Sequence, residues 1–251
     1  MGMRVWVGLA SRANRVKMNR SRVAVAVAAV LVVAVVVAAM LVVVRGVPAS
    51  TSLAGRFPLP LRLEGVLTRD ECHHLIGLAQ QSKLQQSLVY DAESDRLSQR
   101  DRQSQQVWLH ARTDPILERL SQLAARLSGK PTENQEDVQV VRYGPGGFYN
   151  AHYDACDGDE KHCRSFVSRG GQRYATLLVY LSDDFTGGGT HFPRIDYTAV
   201  PKEGDAIFFH STDEQGRLFR DSQHGGQPVE SGTKWIANIW VRHAKFAEKN
   251  A

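Results

Sequence analysis

No acidic residue occurs before Glu64, although Arg4, Arg12, Arg15, Lys17, Arg20 and Arg22 all lie in that stretch. The formal net charge of +5, from 31 Lys and Arg against 26 Asp and Glu, is therefore concentrated at the N-terminus. The remainder of the 251-residue chain is close to neutral or slightly acidic. That gives no support to a nucleic-acid-binding domain, which needs a basic stripe on its folded surface.

Charged and polar side chains are missing altogether from Val23 to Val44, where only Val, Ala, Leu and Met occur. At a helical rise this run spans about 33 Å, enough for a bilayer core. The apolar region of a cleaved signal peptide is shorter, about 7–15 residues. Six basic residues precede the run and only Arg45 follows at once, so the N-terminus is expected in the cytosol. The expected organisation is a cytosolic basic tail over 1–22, a transmembrane helix over 23–44, a stem over 45–60 and one domain over 61–247. This is a single-pass type II arrangement, with the domain in the lumen of the endoplasmic reticulum or Golgi. The glycosylation triplet Asn19-Arg20-Ser21 then stays cytosolic and unused.

Cysteine is scarce: only Cys72, Cys156 and Cys163 occur. No Cys-x-x-Cys is present, so a zinc ribbon or thioredoxin-type site has no support. An oxidising lumen permits disulfides. Cys156 and Cys163 flank a short polar loop and are expected to pair, leaving Cys72 as a small buried residue on a helix. Gly-Lys-Ser/Thr and G-x-G-x-x-G are both missing, which excludes the familiar phosphate-binding loops. There is no internal repeat.

Two helices are legible in the domain. Thr68 and Glu71 form a capping box, followed by Cys72, Leu75, Ile76 and Ala79 at helical spacing, which predicts a helix over roughly 69–82. His73 and His74 on it face different directions and make poor joint ligands. Asp114 caps a second helix with Pro115 at its first position, an apolar stripe from Ile116 to Leu127, and Gly129 as its end. Residues 83–110 read as a loop running into a strand at Val107-Trp108-Leu109. From Val138 the period changes. Strands are predicted at 138–143, 174–181, 206–210 and 234–241, with Gly-rich turns between them. Helices first and strands after argue for an α+β fold, an antiparallel sandwich backed by helices.

The chemistry centres on His152-Tyr153-Asp154. On a strand, residues two apart face the same way, so the imidazole and carboxylate can meet one metal ion. His224, in a turn-like Gly-rich setting, supplies a third ligand. Two His and one carboxylate with open positions form the facial triad of non-haem Fe(II) oxygenases. Lys234, ten residues after His224, offers a cation for an acidic co-substrate. His191 and His210 read as structural, Asp205 as a turn residue, and Phe208 and Phe209 as core.

The order His152-x-Asp154, His224, Lys234 resembles that of the prolyl 4-hydroxylase family of 2-oxoglutarate- and Fe(II)-dependent dioxygenases. Arg142-Tyr143, the run from Gly170 to Thr176, Gly188-Gly189-Thr190, Lys202-x-Gly204-Asp205, His224-Gly225-Gly226 and Gly232-Thr233-Lys234-Trp235 match in the same order. The resemblance spans roughly 61–243 and, with the apolar run, looks most like the membrane-anchored members, though an EF-hand region of the transmembrane form is absent. It implies a double-stranded β-helix (jelly-roll) core and hydroxylation of proline at the 4-position in peptides or proteins. Fe(II), 2-oxoglutarate, O2 and L-ascorbate would serve as cofactors and co-substrates, and 2-oxoglutarate would be decarboxylated to succinate. It implies Lys234 and Tyr143, with Thr176 as a further candidate, as partners of 2-oxoglutarate, and Arg102 and Trp240 as substrate-side residues. Gly189 stands where the family often has Glu, and Gln227 where it often has Cys. The loop 155–169 matches poorly, which leaves substrate preference open. A lysine-directed oxygenase is the alternative, although lysyl hydroxylases carry Arg where this chain has Lys234. An inactive anchored binding module would be expected to have lost a ligand or the Lys.

Overall fold

The computed structural model describes residues 57–91, 96–157 and 161–247. The apolar run over 23–44 and most of the 45–60 stem lie outside the described residues. Among the described residues no helix is long and apolar enough to cross a membrane.

Strand β1 (Leu61–Leu63) leads into helix α1 (Arg69–Gln81). Both halves of the capping box form: Thr68 Oγ1 accepts from the Glu71 N–H at 3.3 Å, and the Glu71 carboxylate accepts from the Thr68 N–H at 2.9 Å. The segment read as a loop instead holds β2 (Gln85–Gln86), β3 (Val89–Asp91), β4 (Arg96–Ser98), β5 (Arg102–Gln103) and β6 (Gln105–Leu109). Strands of two or three residues carry no readable period. Remote partners create them, as where Arg102 pairs with Tyr149. Helix α2 (Pro115–Ser128) starts as expected, with Asp114 Oδ1 accepting from the Ile116 and Leu117 N–H groups at 2.8 and 3.3 Å. It ends at Gly129, whose left-handed φ of 68° suits a residue without Cβ.

The remaining elements are β7 (Val138–Tyr143), β8 (Phe148–His152), α3 (Lys161–Val167), β9 (Arg173–Tyr180), β10 (Phe185–Gly187), β11 (Thr190–Phe192) and β12 (Tyr197–Ala199), then β13 (Ala206–His210), β14 (His224–Gly226), β15 (Val229–Gly232) and β16 (Lys234–Arg242). A seven-stranded major sheet has the order β1-β13-β9-β16-β7-β6-β2, and a five-stranded minor sheet has the order β12-β11-β14-β8-β5. The sheet pairings are antiparallel throughout.

Side-chain alternation divides each major-sheet strand between two cores. On β9, Ala175, Leu177 and Val179 join Trp235, Ala237 and Ile239 of β16 under Leu75, Leu117, Leu120 and Ala124 of the two helices. Leu178, Tyr180, Ile207, Phe209 and Ile236 point the other way, against Phe192, Ala199 and Val229. Burial on both faces explains why β9 and β16 read as nearly continuous apolar runs. The result is a mostly β, jelly-roll-like sandwich with α1 and α2 backing the major sheet, so helix is a smaller part of the fold than an α+β label suggests. Truncating Leu117 or Leu120 to Ala is expected to cost about 2–5 kcal/mol.

Two glycines let the strands reach the site. Gly225 sits where a Cβ would lie 2.8 Å from the Tyr149 carbonyl oxygen, so β14 can close on β8. Gly232, at φ 77°, turns β15 into β16 where a Cβ would come within 2.1 Å of the Asp184 carbonyl oxygen.

Candidate active site

His152 closes β8 and His224 opens β14, and the two are direct cross-strand partners. The turn-like setting expected for His224 is in fact a strand. Asp154 lies just past the end of β8 rather than on it, where the chain bends back toward both rings. Asp154 Oδ1 is 3.8 Å from His152 Nε2, and Oδ2 is 3.7 Å from His224 Nε2. One ligand atom from each of the three residues fits within 4.8 Å of the others.

The ring orientations are set by backbone carbonyls. His152 Nδ1–H donates to the Asn150 carbonyl at 2.8 Å, and His224 Nδ1–H donates to the Ser222 carbonyl at 2.9 Å. Each Nε2 then presents a lone pair to the Asp154 side. Burial pushes His152 down to about 3, which keeps its imidazole neutral and able to ligate. Burial alone would push Asp154 up, but the groups around it, Arg173 and the Thr176 hydroxyl among them, outweigh it and hold the carboxyl below its ordinary range. Two imidazole lone pairs facing a carboxylate form a donor set that suits a borderline-hard divalent cation such as Fe(II). Tyr149 stacks on His152 at 3.5 Å between centroids, while Phe209 and Phe192 flank His224 at 4.7 and 5.5 Å.

Thr176 is placed differently from its role as a 2-oxoglutarate candidate. Its Oγ1 donates to Asp154 Oδ2 at 2.6 Å, so it orients a metal ligand. Thr190 lines the pocket together with Lys234 and Tyr143, and its hydroxyl lies 2.5 Å from Tyr180 Oη.

Lys234 is only 2% exposed. Its Nζ donates to the Gly188 carbonyl at 2.6 Å and lies 5.4 and 5.3 Å from the Tyr143 and Tyr180 ring centroids. Among the described residues no carboxylate pairs with it, and burial pushes its pKa down to about 7. A buried, unpaired ammonium is costly unless an anion meets it. It opens into the same pocket as the triad.

The two substrate-side candidates line the same pocket. Trp240 lines the pocket with the Arg173 guanidinium 3.5 Å over its ring. Arg102 lines it too, 4.7 Å over the Tyr149 ring, with its Nε donating to Ser104 Oγ at 2.9 Å. Glu136, which sequence reasoning passed over, accepts from Arg173 at 2.6 and 2.8 Å and from fully buried Arg242 at 2.8 Å. Burial pushes the Glu136 carboxyl up, but the two guanidiniums outweigh it and hold the group charged. Arg173 was visible inside the Gly170–Thr176 match; Glu136 had no local signal.

Cys156 and Cys163 form the expected disulfide, with Cα atoms 5.5 Å apart, and Cys72 is free and buried. Beside the bridge, the Gln172 side chain accepts from the Cys156 N–H at 2.9 Å and donates to the Cys156 carbonyl at 2.8 Å. The carboxylate of Asp157 pairs with Arg220. His73 and His74 are exposed, paired with Glu203 and Asp114 rather than with a metal.

The chain is similar to known proteins. The sequence profile of the 2OG-Fe(II) oxygenase superfamily matches residues 138–242. A prolyl 4-hydroxylase-like protein of Acanthamoeba polyphaga mimivirus is 36% identical over 189 residues, covering 75% of this chain and 76% of that one. Prolyl 4-hydroxylase subunit alpha-1 of Rattus norvegicus is 32% identical over 186 residues, covering 73% of this chain, which spans about a third (34%) of the longer subunit. The 2OG complex of the viral collagen prolyl hydroxylase from Paramecium Bursaria Chlorella virus-1 superposes with a TM-score of 0.61 at 31% identity, covering 76% of this chain and 98% of that one. The chain belongs to the prolyl 4-hydroxylase family of 2OG-Fe(II) oxygenases.

Proposed function

We propose that the protein hydroxylates proline, at the 4-position, in peptides or proteins, coupled to decarboxylation of 2-oxoglutarate to succinate. The observation that carries this reading is Lys234, a buried cation without a carboxylate partner, in one pocket with the His152–Asp154–His224 triad. Fe(II) held by that triad supplies oxygen activation in this family, with ascorbate as its reductant.

The chain's own residues do the rest. The carbonyl partners of His152 and His224 orient both rings with Nε2 toward Asp154, and Thr176 holds Asp154 in place. Protonated Lys234 pairs with the distal carboxylate of 2-oxoglutarate as a point charge, with the Tyr143 hydroxyl as a neutral partner beside it. Tyr149, Phe192 and Phe209 screen the ligands from water. The Trp240–Arg173 pair and Arg102 offer a flat surface and donors for a peptide, and Glu136 anchors Arg173, whose Nη1 also lies 3.9 Å from Asp154 Oδ1. A panel of proline- and lysine-containing peptides, read for succinate and for the hydroxylated residue, tests the assignment. Succinate released only with lysine peptides would transfer the protein to the lysine-directed class.

The same proposal includes a type II membrane anchor with the domain in the lumen of the endoplasmic reticulum or Golgi. Its support is the 23–44 run behind six basic residues, together with a disulfide that an oxidising compartment permits. Protease digestion of the domain in sealed microsomes would contradict it.

A further inference from the structure

The face of the major sheet that carries Lys234 extends beyond the pocket. Residues in register across β16, β7 and β6 form rows on that face. One row is Asn238, Gln139 and Trp108. The Asn238 side-chain amide donates to Gln139 Oε1 at 3.2 Å, and the Gln139 amide donates to Gln106 Oε1 at 2.7 Å. Asn238 and Gln139 line the pocket, and Gln106 carries the line outward toward the sheet edge.

An aromatic pair runs beside this amide line. Trp240, in the pocket wall, meets Trp108 with ring centroids 5.7 Å apart and planes inclined by 44°. Trp108 is 43% exposed, whereas Trp235 and Trp240 are buried. A single exposed indole would mean little. Its continuity with the pocket, through a second indole and an unbroken line of amides, gives it meaning.

The geometry points to an outer subsite, Trp108 beside the Gln106–Gln139–Asn238 amides, that stacks a prolyl ring of a proline-rich segment flanking the residue to be hydroxylated. It rests on the proline reading above and deepens it. Such a segment adopts the polyproline II form, which rises about 3.1 Å per residue and leaves its carbonyls free of internal hydrogen bonds. The 5.7 Å step from Trp240 to Trp108 thus corresponds to about two residues of the bound chain. Aromatic grooves recognise that preformed helix at little entropic cost. The Gln106 amide, at the outer end of the line, can donate to a free carbonyl. None of the amides is charged, so the subsite selects for proline-rich length rather than for acidic or basic flanks.

The test uses the iron-loaded protein, an oligoproline peptide of about ten residues and a truncation of about two with capped ends, sized to span or miss the subsite. Trp108→Ala is expected to raise KM for the long peptide roughly five- to tenfold, the scale of one aromatic contact. The values of kcat, short-peptide KM and 2-oxoglutarate KM should stay unchanged, and Trp108→Phe should restore most of the loss. An equal rise for both peptides, or no change for either, overturns the subsite. Fluorescence anisotropy of the labelled long peptide reads binding without turnover. Weaker binding to Trp108→Ala is expected, and equal binding, or none to the wild type, also overturns it. If the wild type binds the peptide through Trp108 yet hydroxylates no proline, the subsite stands and the proline reading falls.

Discussion

His152 and His224 face each other across adjacent antiparallel strands, with ring centroids 4.5 Å apart, and each donates its Nδ1 proton to the carbonyl two residues before it. The two rings are held by the same local device on two different strands. A metal ion is what their shared orientation accommodates, because both Nε2 lone pairs turn toward one carboxylate.

Replacing His152, Asp154 or His224 with Ala should therefore abolish iron binding and turnover together. The loss should exceed about 100-fold, the upper end of what removing a partner one shell further out costs. Metal content and far-ultraviolet circular dichroism on the same samples check this. A folded variant that keeps its iron would remove that residue from the ligand set.

Thr176→Val keeps the shape of the side chain and deletes its hydrogen bond to Asp154. Iron affinity should fall roughly tenfold, as for other partners of metal ligands, while the 2-oxoglutarate KM measured at saturating iron stays constant. A rise in that KM alone would return Thr176 to the co-substrate site.

Lys234 links 2-oxoglutarate binding to pH. Burial lowers its pKa from 10.5 to about 7, and a paired carboxylate raises it again. Above pH 7 the free site is increasingly neutral, so binding takes up a proton and affinity weakens by up to about tenfold per pH unit. Calorimetry at pH 8 in buffers of different ionisation enthalpy should show that uptake. Lys234→Ala should abolish it and raise the 2-oxoglutarate KM roughly 10- to 100-fold, the worth of one charge-assisted hydrogen bond. Without ligand, the unfolded chain binds the extra proton between pH 7 and 10.5, so this residue makes stability rise with pH across that window. A wild type that binds 2-oxoglutarate with no proton uptake at pH 8 would mean that Lys234 stays charged in the free protein.

The Cys156–Cys163 bridge closes a short loop beside Asp154. By the chain-entropy relation a loop of this length is stabilised by about 2.5 kcal/mol. The double Ser variant should melt at a lower temperature by a corresponding amount, and mass spectrometry of unreduced peptides should recover the linked pair. Two free thiols in protein made in an oxidising compartment would contradict the bridge.

What was legible in the chain was mostly local. Thr68 with Glu71, and Asp114 with Pro115 and Gly129, mark helix ends through contacts within one turn, so both helices fall where the residues place them. Strands β9 and β16 showed themselves through length and apolar content. The ligand order and Lys234 were legible from motif spacing. Long-range pairing hid the rest. Gly225 and Gly226 look like a turn, yet there a missing Cβ lets β14 approach Tyr149 on β8. Thr176 meets Asp154 only because the end of β8 folds over β9. Glu136 serves Arg173 and Arg242, which lie 37 and 106 positions away, and no sequence window spans that network.

The proposed reaction spends co-substrate decarboxylation on a peptidyl proline. It is tested most directly by counting succinate and 4-hydroxyproline in the same reaction, with iron, ascorbate, 2-oxoglutarate and a proline-rich peptide. The two products are expected in equal amounts, both dependent on the peptide and both lost in His224→Ala. Peptide-stimulated succinate without 4-hydroxyproline, or 4-hydroxyproline formed equally well by the His224→Ala protein, would contradict it.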